Sequence, residues 1–231
     1  MLRAEGISRR FFRKSKMRNF FLAVRETDFS LPPASLTEIT GRSGSGKSTL
    51  LNMLAGLLQP TTGTVLLDGI DLYQMEDAVR SQLRNRQIGV IPQGHSGLHS
   101  LTVLENVMLP CLMYTDSQTT VDEEEIAARA LELLDKVGIA PLKDAYPNEL
   151  SGGETRRLSI ARALIRAPEI LLADEPTGDL DDENTVSVLR LFREEADRGT
   201  AVLLVTHERD AASYADTVYR MSDGALTMES G

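Results

Sequence analysis

Gly41-Arg42-Ser43-Gly44-Ser45-Gly46-Lys47-Ser48-Thr49 lies between the apolar run Leu36-Thr37-Glu38-Ile39-Thr40 and a segment, Ser48 to Leu57, whose Leu50, Leu51, Leu54 and Leu57 recur at helical spacing. Strand, glycine-rich loop ending in Lys-Ser, and amphipathic helix, in that order, make a phosphate cradle. The glycines let backbone N–H groups converge on phosphate oxygens, and the helix start adds free donors and the positive end of its dipole. In such a loop Lys47 reaches the β- and γ-phosphates, the Ser48 hydroxyl holds Mg²⁺, and Thr49 adds a hydroxyl contact. Kinases, GTPases, helicases and transporters share this loop, so it sets an α/β fold class and leaves the reaction open.

Outward from the loop, three more short apolar runs end on polar residues. Gln87-Ile88-Gly89-Val90-Ile91 stops near Pro92, Glu169-Ile170-Leu171-Leu172-Ala173 at Asp174, and Ala201-Val202-Leu203-Leu204-Val205 at Thr206-His207. Runs without alternation suit strands of a parallel sheet covered on both faces. Open α/β sheets bind ligands at the carboxyl ends of their strands, where these polar residues stand. Asp122 to Val137, with Ile126, Leu131, Leu134 and Val137, predicts an amphipathic helix stopped by Gly138. Residues 94–165 carry most of the helical pattern between two strand runs, which predicts a mainly helical lobe inserted into the sheet domain. Asp68-Gly69 and Asp223-Gly224 predict tight hairpin turns. With few residues after Leu226, no C-terminal regulatory domain is expected.

The composition is that of a folding chain: 231 residues, 42% hydrophobic and 26% charged. No stretch approaches the roughly 18 uninterrupted apolar residues of a spanning helix, and no apolar secretory signal opens the chain, so a cytosolic protein is expected. Cys111, the one cysteine, reads as packing, and no Cys/His cluster has metal-ligand spacing. A net charge of −9 argues against nucleic acid as partner, since polyanion affinity comes from Lys and Arg. The N-terminus is locally basic: Arg3, Arg9, Arg10, Arg13, Lys14, Lys16, Arg18 and Arg25 oppose only Glu5 and Glu26. Such a stretch reads as a solvated face of edge strands, or as a contact to anionic lipid or nucleotide phosphate.

Asp174 and Glu175 end the second of those outer runs with different tasks. Asp174, at the strand end, binds Mg²⁺ directly or through water; Glu175, pointing elsewhere, polarises an attacking water as general base. Gln93 adds a neutral oxygen to Mg²⁺ and touches the water, and His207 follows the last run into the same crevice. Leu150-Ser151-Gly152-Gly153-Glu154 is a capping box that opens a helix through Leu158, Ile160, Ala161, Leu164 and Ile165. Capping does not account for the paired glycines, which leave N–H groups bare at a positive helix end. That end wants an anion, and the chain's own phosphate loop is elsewhere, so the nucleotide there belongs to another copy.

This motif resembles the signature of the ABC ATPases, and the resemblance covers the chain in order. Phe11 stands in the adenine-stacking position, Walker A spans 41–49, Gln93 the Q-loop, LSGGE 150–154, Walker B 170–175, Asp181 the D-loop and His207 the H-loop. It implies a P-loop NTPase core with a mainly parallel sheet, an N-terminal antiparallel β subdomain and an inserted helical signature lobe, in one nucleotide-binding domain, 1–231. It also implies that two copies sandwich two MgATP head to tail, with Ser151, Gly152, Gly153 and Glu154 acting on the partner's nucleotide. The lobe is then expected to rotate on ATP binding with the Gln93 loop as hinge, and His207 to hold the γ-phosphate and water.

Ala173-Asp-Glu-Pro-Thr-Gly-Asp-Leu-Asp181 and Leu101-Thr-Val-Leu-Glu-Asn-Val-Met-Leu-Pro110 resemble the ATPases of lipoprotein release, macrolide and antimicrobial-peptide export, and FtsE-type cell division. That implies a separate integral membrane permease and a place on the inner face of the cell membrane, for export, extraction or mechanotransmission. Departures are Phe11 for the commoner Tyr, with Phe12 able to serve instead, Glu154 for Gln, Asp179 for Asn, and Pro92 and His95 where aromatic residues are common. A soluble relative acting in DNA repair or translation is the competing reading, opposed by the lack of a long coiled coil or second ATPase domain. A catalytically dead sensor is opposed by intact Glu175 and His207.

Overall fold

In the computed structural model, which describes residues 1–12, 20–94, 97–114 and 122–229, the apolar runs become strands with few exposed positions. They are β3 (Ser35–Thr40), β6 (Ile88–Ile91), β7 (Ile170–Asp174) and β8 (Ala201–Val205), the last two buried throughout. A strand covered on both faces has no polar side to alternate with, hence the unbroken apolar text. With β9 (Thr217–Ser222) they pair in parallel in the order β9-β3-β8-β7-β6, and β10 (Ala225–Met228) closes the edge antiparallel to β9. Val205 is opposite both Ile39 and Asp174, so β3, β7 and β8 end level and deliver their following residues to one place.

The second sheet is antiparallel, β2-β1-β4-β5, from β1 (Leu2–Phe12), β2 (Phe20–Leu31), β4 (Thr62–Leu67) and β5 (Ile70–Asp71). The β4–β5 and β9–β10 hairpins turn on Asp68-Gly69 and Asp223-Gly224, with φ of 49° and 83°, and of 47° and 79°. Successive positive φ angles match the twist of the flanking strands, which is what the Asp-Gly pairs supply. The basic residues Arg13, Lys14, Lys16 and Arg18, and His95, lie outside the described residues.

α1 (Lys47–Leu54) is packed between the sheets: Leu50, Leu51 and Leu54 share a core with Leu2, Ile7 and Leu31 of one and Ile39, Leu172 and Leu203 of the other. It ends before Leu57, because Gly56 turns left-handed at φ 68° and leaves Leu57 exposed. α2 (Asp77–Gln87) leads into β6. On the opposite face of the parallel sheet, Leu171, Ala173, Val202 and Leu204 pack against the remaining helices, with Cys111 at the margin of that core.

Between β6 and β7 stand α3 (Val103–Leu112), α4 (Glu123–Lys136) and α5 (Gly152–Leu164), and α6 (Asp182–Asp197) joins β7 to β8. Each has a side-chain cap: the Thr102–Glu105 box, Asp122, the Ser151–Glu154 box and Asp181. Gly138, φ 70°, ends α4 as its place in the sequence predicts. Buried Asn106 donates to the carbonyls of Leu98, Leu101 and Thr102 and accepts from Leu98 N–H, pinning the approach to α3. Among the described residues no helix is long and apolar enough to cross a membrane.

Glu38, in the middle of β3, is fully buried and both its carboxyl oxygens lack hydrogen-bond partners. Burial, and then the charge of Glu229, push its pKa up to about 7. The folded chain therefore holds a proton that the unfolded chain releases near 4.5. Folding stability is expected to fall as pH rises from about 4.5 to about 7, by about 3 kcal/mol from this group, and to flatten above. Glu38→Gln should remove that fall, as urea midpoints at pH 5 and pH 8 would show; an unchanged pH dependence would clear Glu38 of it.

Candidate functional site

A cleft of about 730 Å³ opens at the carboxyl ends of β3, β7 and β8 and is lined by the 41–49 loop, Gln93, Glu175 and His207. The loop's path demands glycine. A Cβ on Gly41 (φ 151°) would stand 2.3 Å from Met221 O, and one on Gly46 (φ 111°) 2.1 Å from Ala23 O. Gly46 is also the N-cap of α1, with no side-chain cap, so the first N–H groups of that helix keep no internal competitor for an anion. Lys47 is buried and donates to the carbonyls of Gly41 and Arg42 at 2.7 and 3.1 Å, which bends its ammonium group back across the loop. Arg42, Ser43, Gly44, Ser48 and Thr49 line the cleft, whereas Ser45 is buried behind it, its N–H bonded to Arg42 O.

The two adjacent carboxylates part because the chain turns between them. Asp174 closes β7 at 3% exposure, and Glu175 adopts φ 49°, a left-handed conformation costly for a non-glycine residue, fixed by its N–H on Val205 O. Desolvation raises the Asp174 carboxyl above its ordinary range, opposed by the neighbouring Ser48 hydroxyl and by the charges of Lys47 and Arg156. Its Oδ1 is buried without a partner. Glu175 instead meets His207: Oε2 and Nδ1 are 2.7 Å apart. That contact engages Nδ1, and Nε2 is the ring's other nitrogen for a further partner.

At the far end Phe11 lines the cleft and Phe12 does not; Phe12 is 75% exposed. The Phe11 ring stacks on Phe21, its cross-strand partner, at 5.8 Å between centroids, and the Arg9 guanidinium lies 4.8 Å from the Phe11 centroid. Phe21 also lines the cleft. Sequence reasoning missed it, since only strand pairing sets it beside Phe11.

Ser151, Gly152 and Gly153 do not line this cleft. With Asp179, Leu180 and Asp181 they border a separate hollow of about 420 Å³. Glu154 Oε2 accepts from the N–H and the hydroxyl of Ser151, both at 2.7 Å, and Glu154 N–H returns a bond to Ser151 Oγ. These bonds hold the Glu154 carboxyl below the usual range. Asp181 caps α6, and the Asn184 bonds lower its carboxyl likewise. Asp179, at φ 68°, borders both hollows. Arg156, unremarked in the sequence, reaches from α5 into the first.

The protein-family model described as ABC transporter matches residues 24–178. A solved structure described as "Dimeric structure of a post-hydrolysis state of the ATP-binding cassette MJ0796 bound to ADP and Pi" is similar at 30% identity, with 100% of both chains covered and a TM-score of 0.92. A second, "Dimeric Structure of MJ0796, a Bacterial ABC Transporter Cassette", is similar at 30% identity, again over 100% of both chains, with a TM-score of 0.91.

Proposed function

The chain belongs to the ABC transporter family and is an ATP-binding, ATP-hydrolysing cassette, and from that premise we propose that two copies close head to tail around two MgATP and drive a separate membrane permease. The observation that carries the reading is the split of one chain's anion sites: the phosphate loop lines one hollow and the glycines at the start of α5 another. A nucleotide held by the loop needs a second chain to meet those glycines.

Within each site the chain's residues divide the work. N–H groups of the 41–49 loop and the start of α1 bind the phosphates, and Lys47 trades its two loop carbonyls for β- and γ-phosphate oxygens. Mg²⁺ fits beside Ser48, Gln93 and Asp174, because a buried carboxylate oxygen with no hydrogen bond is stable only next to a cation or a proton. Held there it would neutralise charge on the β- and γ-phosphate oxygens. Glu175 takes the proton of the water that attacks the γ-phosphorus, the bond to the β-phosphate oxygen breaks, and ADP and phosphate leave. His207, fixed through Nδ1 on Glu175, presents Nε2 to the γ-phosphate and the water.

Adenine stacks at Phe11. Phe11→Ala is expected to weaken ATP binding about 3- to 10-fold, as a lost aromatic pair would, and Phe12→Ala to leave it unchanged; fluorescent adenine nucleotides would read both, and a reversed order would move the stacking role to Phe12.

Residues 1–231 act as one nucleotide-binding domain whose helical part, 94–165, turns toward the core when ATP binds. The stretch Ala173 to Asp181 supports placing the chain beside the ATPases of lipoprotein release, macrolide export and FtsE-type cell division, held at the inner membrane face by the permease. Capture of tagged Glu175→Gln protein from native membranes with ATP, followed by mass spectrometry, tests the placement. A permease with a large extracytoplasmic domain is expected; recovery of soluble nucleic-acid or ribosomal proteins alone would overturn it.

A further inference from the structure

Arg156 is a charged residue at 5% exposure, two positions beyond the Ser151–Glu154 cap, on the helix whose N-terminus serves the partner's nucleotide. It points the other way, into its own chain's cleft beside Glu175 and Gln93. Its Nη1 donates to Pro92 O at 2.9 Å, on the residue before Gln93. Its Nη2 is 3.7 Å from where a Cβ on Gly178 would stand, in the turn that follows Glu175. Its charge is felt at the Asp174 carboxyl. Burying a guanidinium against a neutral carbonyl is costly unless an anion compensates it, and among the described residues no carboxylate forms an ion pair with it. The Asp174 and Glu175 carboxylates stand near it without forming an ion pair, and the further anion this cleft receives is the nucleotide's phosphate chain.

We propose that Arg156 is a positioning residue that makes the signature helix of one chain respond to the terminal phosphate in that same chain's cleft. The guanidinium is tied at once to α5 through its own backbone and to the Gln93 loop through Pro92. Attraction to a triphosphate draws both inward as a unit; a diphosphate, shorter by one charged group, does not reach it. Since the start of α5 completes the partner's site, occupancy of one site sets the donor geometry of the other. The two sites of the dimer are thereby coupled through a single side chain per protomer, a deepening that rests on the head-to-tail reading.

The test uses ATP-driven dimerisation of full-length Glu175→Gln protein, with and without Arg156→Gln, followed by analytical ultracentrifugation. Arg156→Gln removes the charge and keeps a polar, uncharged side chain at that position. It is expected to raise the ATP concentration for half-dimerisation about tenfold, within the usual range of coupling between sites, while ADP affinity and melting temperature stay put. In the otherwise unaltered chain it should bring the Hill coefficient for ATP hydrolysis to 1, and Arg156→Lys should restore most of both. Unchanged dimerisation and Hill coefficient would overturn the proposal, as would equal losses for ATP, ADP and thermal stability, the mark of a prop. If Glu175→Gln protein with Arg156 intact does not dimerise with ATP, the head-to-tail reading itself falls and the coupling role with it.

Discussion

Glu175→Gln is expected to lower kcat by about 10²- to 10⁴-fold, the range for losing a positioned general base, and to leave ATP binding intact. The amide has nearly the shape of the carboxylate and can keep a hydrogen bond to His207, now 2.7 Å away, but it cannot take the proton of the attacking water. The left-handed turn at Glu175 belongs to the backbone and its Val205 contact, so the substitution does not relax it. ATP should then remain bound and hold two chains together as a stable dimer. Single-turnover hydrolysis with gel filtration would read both effects. Normal turnover would remove Glu175 from the base role; lost turnover without a dimer would keep the base and discard the sandwich.

The second large effect is expected from Ser151→Arg, which sets a bulky cation where Ser151 and Glu154 now close the N-terminus of α5. Turnover should vanish in the homodimer, while the 41–49 loop, in a different hollow, still binds ATP. Lys47→Ala should do the converse. Losing a buried ammonium group's phosphate contacts is expected to weaken ATP binding about 10- to 100-fold, the usual span for charged hydrogen bonds. Mixing the two variants gives the sharper result, because a heterodimer contains one site with an intact loop from one chain and an intact signature from the other. Activity should return to a fraction of the parent's in the mixture alone. A mixture as inactive as its components would mean that each chain completes its own site.

Much of this was legible in local sequence, because the features concerned are set by local physics. A Gly-rich loop with Lys47-Ser48 opening a helix, Asp-Gly at two hairpins, Ser151 with Glu154 as a cap, and apolar runs without alternation each express a backbone requirement or a burial pattern within a few residues. Those signals determined the α/β class, the strand ends that deliver Asp174 and His207, and the helix starts proposed to take anions. The tertiary structure alone decided which of two adjacent phenylalanines faces the cleft. β1 changes register against β2 between Ile7 and Arg9 and again between Arg9 and Arg10, and each one-residue slip moves a side chain to the other face, so counting along the strand cannot place Phe11 or find Phe21. It alone decided that Glu38 is sealed inside a strand its neighbours cover, and that Arg156 leaves its helix for the cleft. Such placements depend on what packs against a residue from distant parts of the chain, and no spacing within the sequence encodes that.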